Sequence, residues 1–311
     1  MYVISLKHAS GIFVLEETMS VKALGKRRRF SIKPYLFVLP ALFFALMFVY
    51  YPFLKTFASG FSLVNAQGKI LSYVGLYNFR YLFSRREFAY ALKNTLLLTL
   101  VNVPVTVVLT LTMALLACKK RLLSPLCEGL FALPMAVSMA TAALIFKLLF
   151  NPTVGIINQL LGLESGWFED RRTALGTMLI LTVWMGLGFN FLLFLSALRS
   201  IPDDRIGAAR VDGAGEIMLL WHIRLPAILP TLVYVCASNA VLALMTSGPV
   251  MIITKGGPAR ATTTLIYMMY TSGYASSNDS LAACVSIVCF MLAFLFTGVL
   301  LFLERVKVSD V

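Results

Sequence analysis

Charge is scarce in this chain: Asp, Glu, Lys and Arg make up 13% of its 311 residues, where a soluble domain carries about a quarter. With 59% of residues hydrophobic, that shortage excludes a chain folding in water alone. Histidine is scarcer still. His8 and His222 stand apart, so neither a metal centre nor an intramembrane hydrolase built on a His, Asp or Ser cluster is expected. No G-x-x-x-x-G-K-[ST] phosphate loop occurs, because Gly25-Lys26 and Gly68-Lys69 lack the rest of that motif. The chain is therefore not expected to be an enzyme. Cys118, Cys127, Cys236, Cys284 and Cys289 are odd in number, lie in or beside apolar runs and show no paired zinc-ligand spacing, which makes them small apolar side chains. The interiors of the apolar runs also lack the coupling-ion carboxylates and the chain lacks clear paired halves, which weighs against a stand-alone secondary transporter.

What is present is apolar length. Six runs begin near Tyr35, Asn94, Gly129, Ala174, Ala227 and Leu281 and end near Leu54, Cys118, Phe150, Leu198, Ile253 and Leu303. Each reaches the about 20 helical residues that cross about 30 Å of hydrocarbon. Lipid cannot satisfy exposed backbone groups, so the expectation is an all-α membrane protein with six transmembrane helices. Pro104, Pro134, Gly186, Gly188, Gly248 and Pro249 punctuate those runs and predict bends or close backbone approaches.

The formal net charge of +13 does not predict a nucleic-acid partner, because the basic residues are scattered between apolar runs and form no aromatic-interleaved stripe. They fit topology better. Residues 1–33 form a basic leader whose one apolar stretch, Gly11 to Leu15, is too brief to span and has no convincing cleavage site after it. Its first part, Met1 to Thr18, carries Glu16 and Glu17, and Met19 is the expected start of translation. Lys26, Arg27, Arg28, Arg29 and Lys33 precede the first span, which by the positive-inside rule puts the N-terminus in the cytoplasm. Lys119, Lys120, Arg121, Arg305 and Lys307 then fall on the same side, as does the tail 307–311. The outer loops hold Arg85, Arg86, Arg171 and Arg172, offset by Glu87, Glu169 and Asp170. The domain organisation is leader, six-helix domain 34–306 and tail.

Between spans four and five runs one long loop, 199–226, with the pattern of two short helices. Pro202 suits a first helical position, Asp203 and Asp204 fall in the first turn where the helix dipole favours them, and Gly213 breaks the run. A second helix is expected from Ala214, with Ile217, Leu220 and Trp221 on one face, ended by Pro226. Ala208 and Ala209 would let the first helix seat closely in a partner's groove. An amphipathic hairpin on the inner leaflet is the other arrangement that this spacing allows.

This segment resembles the EAA loop of the transmembrane subunits of binding-protein-dependent ABC importers, whose pattern is E-A-A, three residues, G, then I-x-L-P. Gly207-Ala208-Ala209, Gly213 and Ile223-Arg224-Leu225-Pro226 stand in that register, and Asp212-Gly213-Ala214-Gly215 is similar to the sugar branch typified by maltose and glycerol-3-phosphate importers. VGLYNFRYLF at Val74 to Phe83, FALP at Phe131 to Pro134, LLFNPTVGIIN at Leu148 to Asn158 and TKGGPARATTTL at Thr254 to Leu265 follow in the family's order. The resemblance implies a type I importer-like bundle in a bacterial cell membrane. It also implies a second permease subunit, an extracytoplasmic solute-binding protein and a cytosolic ATPase dimer that binds ATP and Mg and receives the first loop helix. One departure stands out: the motif's glutamate falls at Gly207, leaving Asp203 or Asp204, one turn earlier, or the partner permease's loop to supply the acidic contact.

Ionisable residues in the spans are confined to positions such as Lys93 and Lys147 near the outer ends, where long side chains snorkel. That pattern leans towards a neutral oligosaccharide or polyol, with an organic phosphate such as glycerol-3-phosphate as the alternative. Aligned through the landmarks, Asn239, Leu242, Ala243 and Thr246 in span five and Met185, Gly186 and Phe189 in span four match substrate-lining positions of the maltose-type subunit. The same face also suits helix packing, with Asn239 as interhelical glue, and Trp184 and Asn190 share that ambiguity.

Overall fold

The structure is a computed structural model that describes residues 33–65, 67–118, 124–163 and 165–308. The leader as far as Ile32, the basic residues Lys119, Lys120 and Arg121, and the final three residues of the tail lie outside the described residues. The described chain forms two compact units, one ending at Pro52 and one beginning at Phe53.

α1 (Lys33–Ala45) runs into a π turn, Leu46–Tyr50, and on into α2 (Tyr51–Gly60), the first unit ending at Pro52 within α2. From Leu36 to Gly60 the helix is long and apolar enough to cross a membrane, a few residues longer than the run ending near Leu54 predicts. Nothing from Leu36 to Ala58 is buried.

After α2 the second unit forms a hairpin that the composition did not announce: β1 (Ser62–Val64) pairs antiparallel with β2 (Ile70–Tyr73), with Ser62 opposite Tyr73. The short α3 (Tyr77–Ser84) leads into α4 (Arg86–Ala117), which begins eight residues before the expected span and passes straight through Pro104. α4 buries a polar stripe of Thr95, Thr99, Asn102, Thr106 and Thr110, spaced three or four residues apart on one face, with Asn94 next to its first member. Helix geometry satisfies much of it locally: Thr95, Thr99 and Thr110 donate to the carbonyls of Ala91, Thr95 and Thr106 at 2.7, 2.8 and 2.6 Å.

Span three is two helices rather than one. α5 (Ser124–Ala136) and α6 (Met139–Leu149) meet at 103°. α5 carries Pro134 within it and ends at Ala136, the Val137 N–H turning back to the Pro134 carbonyl at 3.3 Å, and Ser138 caps the restart by accepting from the Thr141 N–H at 3.2 Å. The short α7 (Ile156–Leu161) precedes α8 (Ala174–Arg199), which lies against both α4 and α5. A Cβ at Gly188 would stand 3.0 Å from the Ala132 carbonyl oxygen and from the Met135 amide nitrogen, so only glycine allows this approach of α8 to α5.

After α9 (Asp203–Val211), α10 (Glu216–Leu219) continues through a π turn, Leu220–Arg224, into α11 (Leu225–Ala227). α12 (Leu229–Leu244) leaves that stretch at 72°. Span five, expected as one helix to Ile253, breaks at Met245 to Ser247 and resumes through Gly248 and Pro249 into a π turn, Val250–Thr254. α13 (Leu265–Tyr270) and α14 (Asp279–Val308) complete the unit, α14 carrying the helix past the expected tail boundary.

Three apolar clusters hold the unit together. One joins the C-terminal parts of α4 and α8 to the start of α12, one joins α3 and the start of α4 to α13 and α14, and one joins α6 to the start of α8 and to Val250.

Candidate functional site

The long loop emerges at the first of these clusters, and α9 leaves it as an isolated helix with no buried residue. Pro202 is its flanking residue rather than its first helical one, and Asp203 and Asp204 occupy the first turn, facing the partial positive charge of the N-terminus. Gly207 and Ala208 are exposed and Ala209 is half-buried. Gly213 takes a φ of +86°, and its N–H bonds the Arg210 carbonyl at 3.1 Å while the Ala214 N–H bonds the Ala209 carbonyl at 2.9 Å. These two bonds are a Schellman cap, which needs a left-handed residue at that position. Asp212 and Gly215 lie exposed on either side, with Ala214 half-buried.

The second loop helix departs from expectation. It begins at Glu216, not Ala214, and passes through Pro226 to Ala227. The π turn allows this, since the Leu225 N–H reaches back to the Leu220 carbonyl before the proline, which has no donor to place. Its buried residue in α10 is Leu219, while Ile217 and Trp221 stand 77% and 64% exposed and Leu220 is half-buried. The I-x-L-P signature acquires a local reason: Ile223 and Leu225 pack on the cluster shared with α4 and α8, and Pro226 is exposed. Ile206 does the same for α9.

In the middle of the unit the candidate pathway residues divide. Asn239 is buried, and its amide forms a reciprocal pair with Asn190, each Nδ2 donating to the other's Oδ1 at 3.0 Å. The remaining Nδ2 hydrogens go to Val235 O and Gly186 O, both at 2.7 Å. All four amide N–H bonds of the pair are thus engaged within this chain, locking α8 to α12. Ala243 and Thr246 are buried, the Thr246 carbonyl accepting from Thr264 Oγ1 at 2.9 Å, while Met185 and Gly186 are half-buried. Phe189 and Leu242 face outward, 45% and 66% exposed. The rings of Trp184 and Phe146 lie 5.5 Å apart between centroids, tilted by 50°. Beside this pair, Asn102 Nδ2 donates to Thr182 Oγ1 at 2.9 Å, extending a wholly neutral polar layer.

The landmark segment Thr254 to Leu265 folds, after the Val250–Thr254 turn, into a stapled loop whose internal bonds the sequence pattern did not announce. Thr262, Thr263 and Thr264 are buried, and the first two donate to the carbonyls of Gly257 and Gly256 at 2.6 and 3.0 Å. Asn94 adds bonds of 3.0 Å to the carbonyls of Arg260 and Thr263. Lys255, Gly256, Ala259 and Arg260 all have positive φ. The landmark TKGGPARATTTL covers this loop in the sequence, its three successive threonines supplying the staples. At the same end, Lys147 and Glu169 line a cleft of about 330 Å³ with Asn151 and Thr254. Among the described residues no group of three or more His, Cys, Asp or Glu is placed to hold a metal ion.

Known proteins are similar to this chain in sequence and in fold. The model of the binding-protein-dependent transport system inner membrane component family matches residues 106–306. The sn-glycerol-3-phosphate transport system permease protein UgpA of Pectobacterium atrosepticum is 32% identical over 268 residues, covering 85% of this chain and 91% of its own. The Bacillus subtilis protein YurN, named as an ABC transporter permease, is 32% identical over 267 residues, covering 83% and 91%. The fold is also that of a chain in a bacterial ABC transporter involved in the import of the acidic polysaccharide alginate, with a TM-score of 0.78 at 20% identity over 88% of this chain and 96% of that one. Family match, full-length relatives and helical bundle together make this chain a member of the binding-protein-dependent transport system inner membrane components, the membrane permeases of bacterial ABC importers.

Proposed function

We propose that this permease carries a neutral oligosaccharide or polyol inward, driven by ATP hydrolysis on a separate cytosolic ATPase dimer against which α9 docks. The solute is handed over by an extracytoplasmic binding protein, and a second permease subunit completes the pathway. The N-terminus, the α9 loop and the C-terminus face the cytoplasm. ATP and Mg are held by the ATPase.

The observation that carries this reading is α9 itself: a nine-residue helix with no buried residue, sealed by a Schellman cap and seated on the bundle through Ile206. So short a helix gains little from propensity alone, and its exposed Gly207 and Ala208 leave the backbone open to a partner's groove. The neutral layer of Asn102, Thr182, Asn190 and Asn239 supports an uncharged solute, and the basic clusters support the orientation. The relatives' name favours a second reading, glycerol-3-phosphate; Lys147, which lines the cleft with Asn151, is a cation suited to it.

Cysteines at Arg205, Ala209 and Asp212, in a background without native cysteines, test the docking. Disulfide cross-links to the co-purified ATPase are expected from at least one position. A functional complex that gives none, while lipid-directed probes label all three, would leave the inner-leaflet hairpin in its place.

A further inference from the structure

Where the second loop helix folds back towards the end of α4, a groove of about 360 Å³ opens. Thr112, Leu115 and Leu116 form one wall, Ile217 and Leu220 the other, and Glu216 and Arg224 stand at its head. Arg224 is an unusual residue for such a place. Its side chain is only 9% exposed, and one of its nitrogens meets Glu216 Oε2 at 3.2 Å. The other Glu216 oxygen takes Arg210 at 2.9 Å. Two guanidinium groups thus share one carboxylate, and the cluster keeps one positive charge in excess.

A guanidinium offers five N–H donors in a planar fork suited to phosphate, and the contact with Glu216 engages one arm of it. Below the fork the walls are apolar. They continue directly into the flank of α4, where Leu116 and Val108 are 73% and 61% exposed. Trp221 and Met218 stand exposed on the adjoining helix, and tryptophan is the side chain that settles at a membrane–water boundary. Excess positive charge at the mouth of an apolar groove, at the level where a spanning helix ends, is complementary to an amphiphile with an anionic head.

We propose that this groove binds an anionic phospholipid, its phosphate on Arg224 and an acyl chain against Leu115, Leu116 and Leu220. A free anion would gain from Arg224 but leave the apolar walls wet. A phospholipid satisfies both, and such basic pockets beside spanning helices are a recurrent means of headgroup capture. The inference rests on this chain's own groove and is independent of which solute the permease carries.

The test uses the full transporter complex in vesicles of phosphatidylethanolamine with a minority of phosphatidylglycerol, with a benzophenone amino acid in place of Leu116. Irradiation is expected to give a phosphatidylglycerol adduct, identified by mass, in excess of that lipid's share of the vesicle. Arg224→Gln should lower its yield about fivefold or more, the worth of one cation at a lipid surface, and Arg224→Lys should retain most of it. Leu115→Trp, which fills the groove without touching the ion cluster, should lower the yield as well and guards against a folding defect in the Arg224 variants. Inorganic phosphate should not compete. The proposal is overturned if the adduct is a polypeptide, if adduct composition simply follows the bulk lipid ratio whatever stands at Arg224, or if inorganic phosphate abolishes it.

Discussion

Gly213→Ala isolates backbone strain from every other consequence of mutation in the loop. A Cβ at this position would meet nothing within 4 Å, so no clash accompanies it. What changes is the cost of holding φ at +86°, about 1–2 kcal/mol for a residue with a Cβ in the left-handed region. α9 has no buried residue to offset that cost, and both Schellman bonds depend on it. If the capped helix is the form the ATPase binds, the strain appears directly as lost affinity, about 5- to 30-fold. The assay is a titration of purified ATPase onto the permease complex in nanodiscs, read beside solute-stimulated ATP hydrolysis. Membrane insertion and the binding protein's affinity for its solute should stay unchanged, because Gly213 touches neither. Gly213→Asn should lose much less, since asparagine enters the left-handed region more readily. Equal losses for Ala and Asn, or no loss for Ala, would refute the argument from φ.

Gly207→Glu restores the acidic residue of the family motif at an exposed position where a Cβ meets nothing; ATPase association should strengthen or stay the same in that titration, and a weakening would count against docking through this face. Asn190→Ala or Asn239→Ala alone should destabilise the chain by about 1–3 kcal/mol by orphaning a buried amide, whereas Asn190→Leu with Asn239→Leu should cost less than the two single alanine changes together. Thermal unfolding of the detergent-purified complex measures both. Gly188→Val drives a branched side chain into the α5 backbone and should lower stability by about 1–3 kcal/mol or more, read by the same melt. Competition on the cognate binding protein should rank neutral oligosaccharides or polyols above phosphorylated and carboxylated solutes; a phosphorylated solute as the tightest ligand would defeat the neutral-pathway argument and favour glycerol-3-phosphate.

Apolar length alone determined that this chain crosses a membrane as helices, because hydrocarbon leaves the backbone no other way to satisfy its N–H and C=O groups. Local chemistry determined the first loop helix nearly to its ends: paired aspartates mark its start, and Gly213 its stop, since only glycine takes that φ cheaply. The landmark motifs carry the family's signature in sequence alone, for they are strings read in order. Tertiary structure decided everything that depends on what lies opposite. Both Pro104 and Pro134 lie inside their helices, yet α4 runs on unbroken while α5 ends two residues after its proline and span three turns by 103°, a difference the prolines themselves do not carry. Whether Asn239 faces a pathway or a partner depended on Asn190, 49 residues away, whose amide meets it at 3.0 Å. Pro226 stops a helix in a local pattern, yet here a π turn formed one turn earlier carries the chain past it. The groove headed by Arg224 exists only because α10 folds against the end of α4, joining residues more than a hundred positions apart. Periodicity reports a residue's own face; it carries no information about the distant side chain that completes the contact.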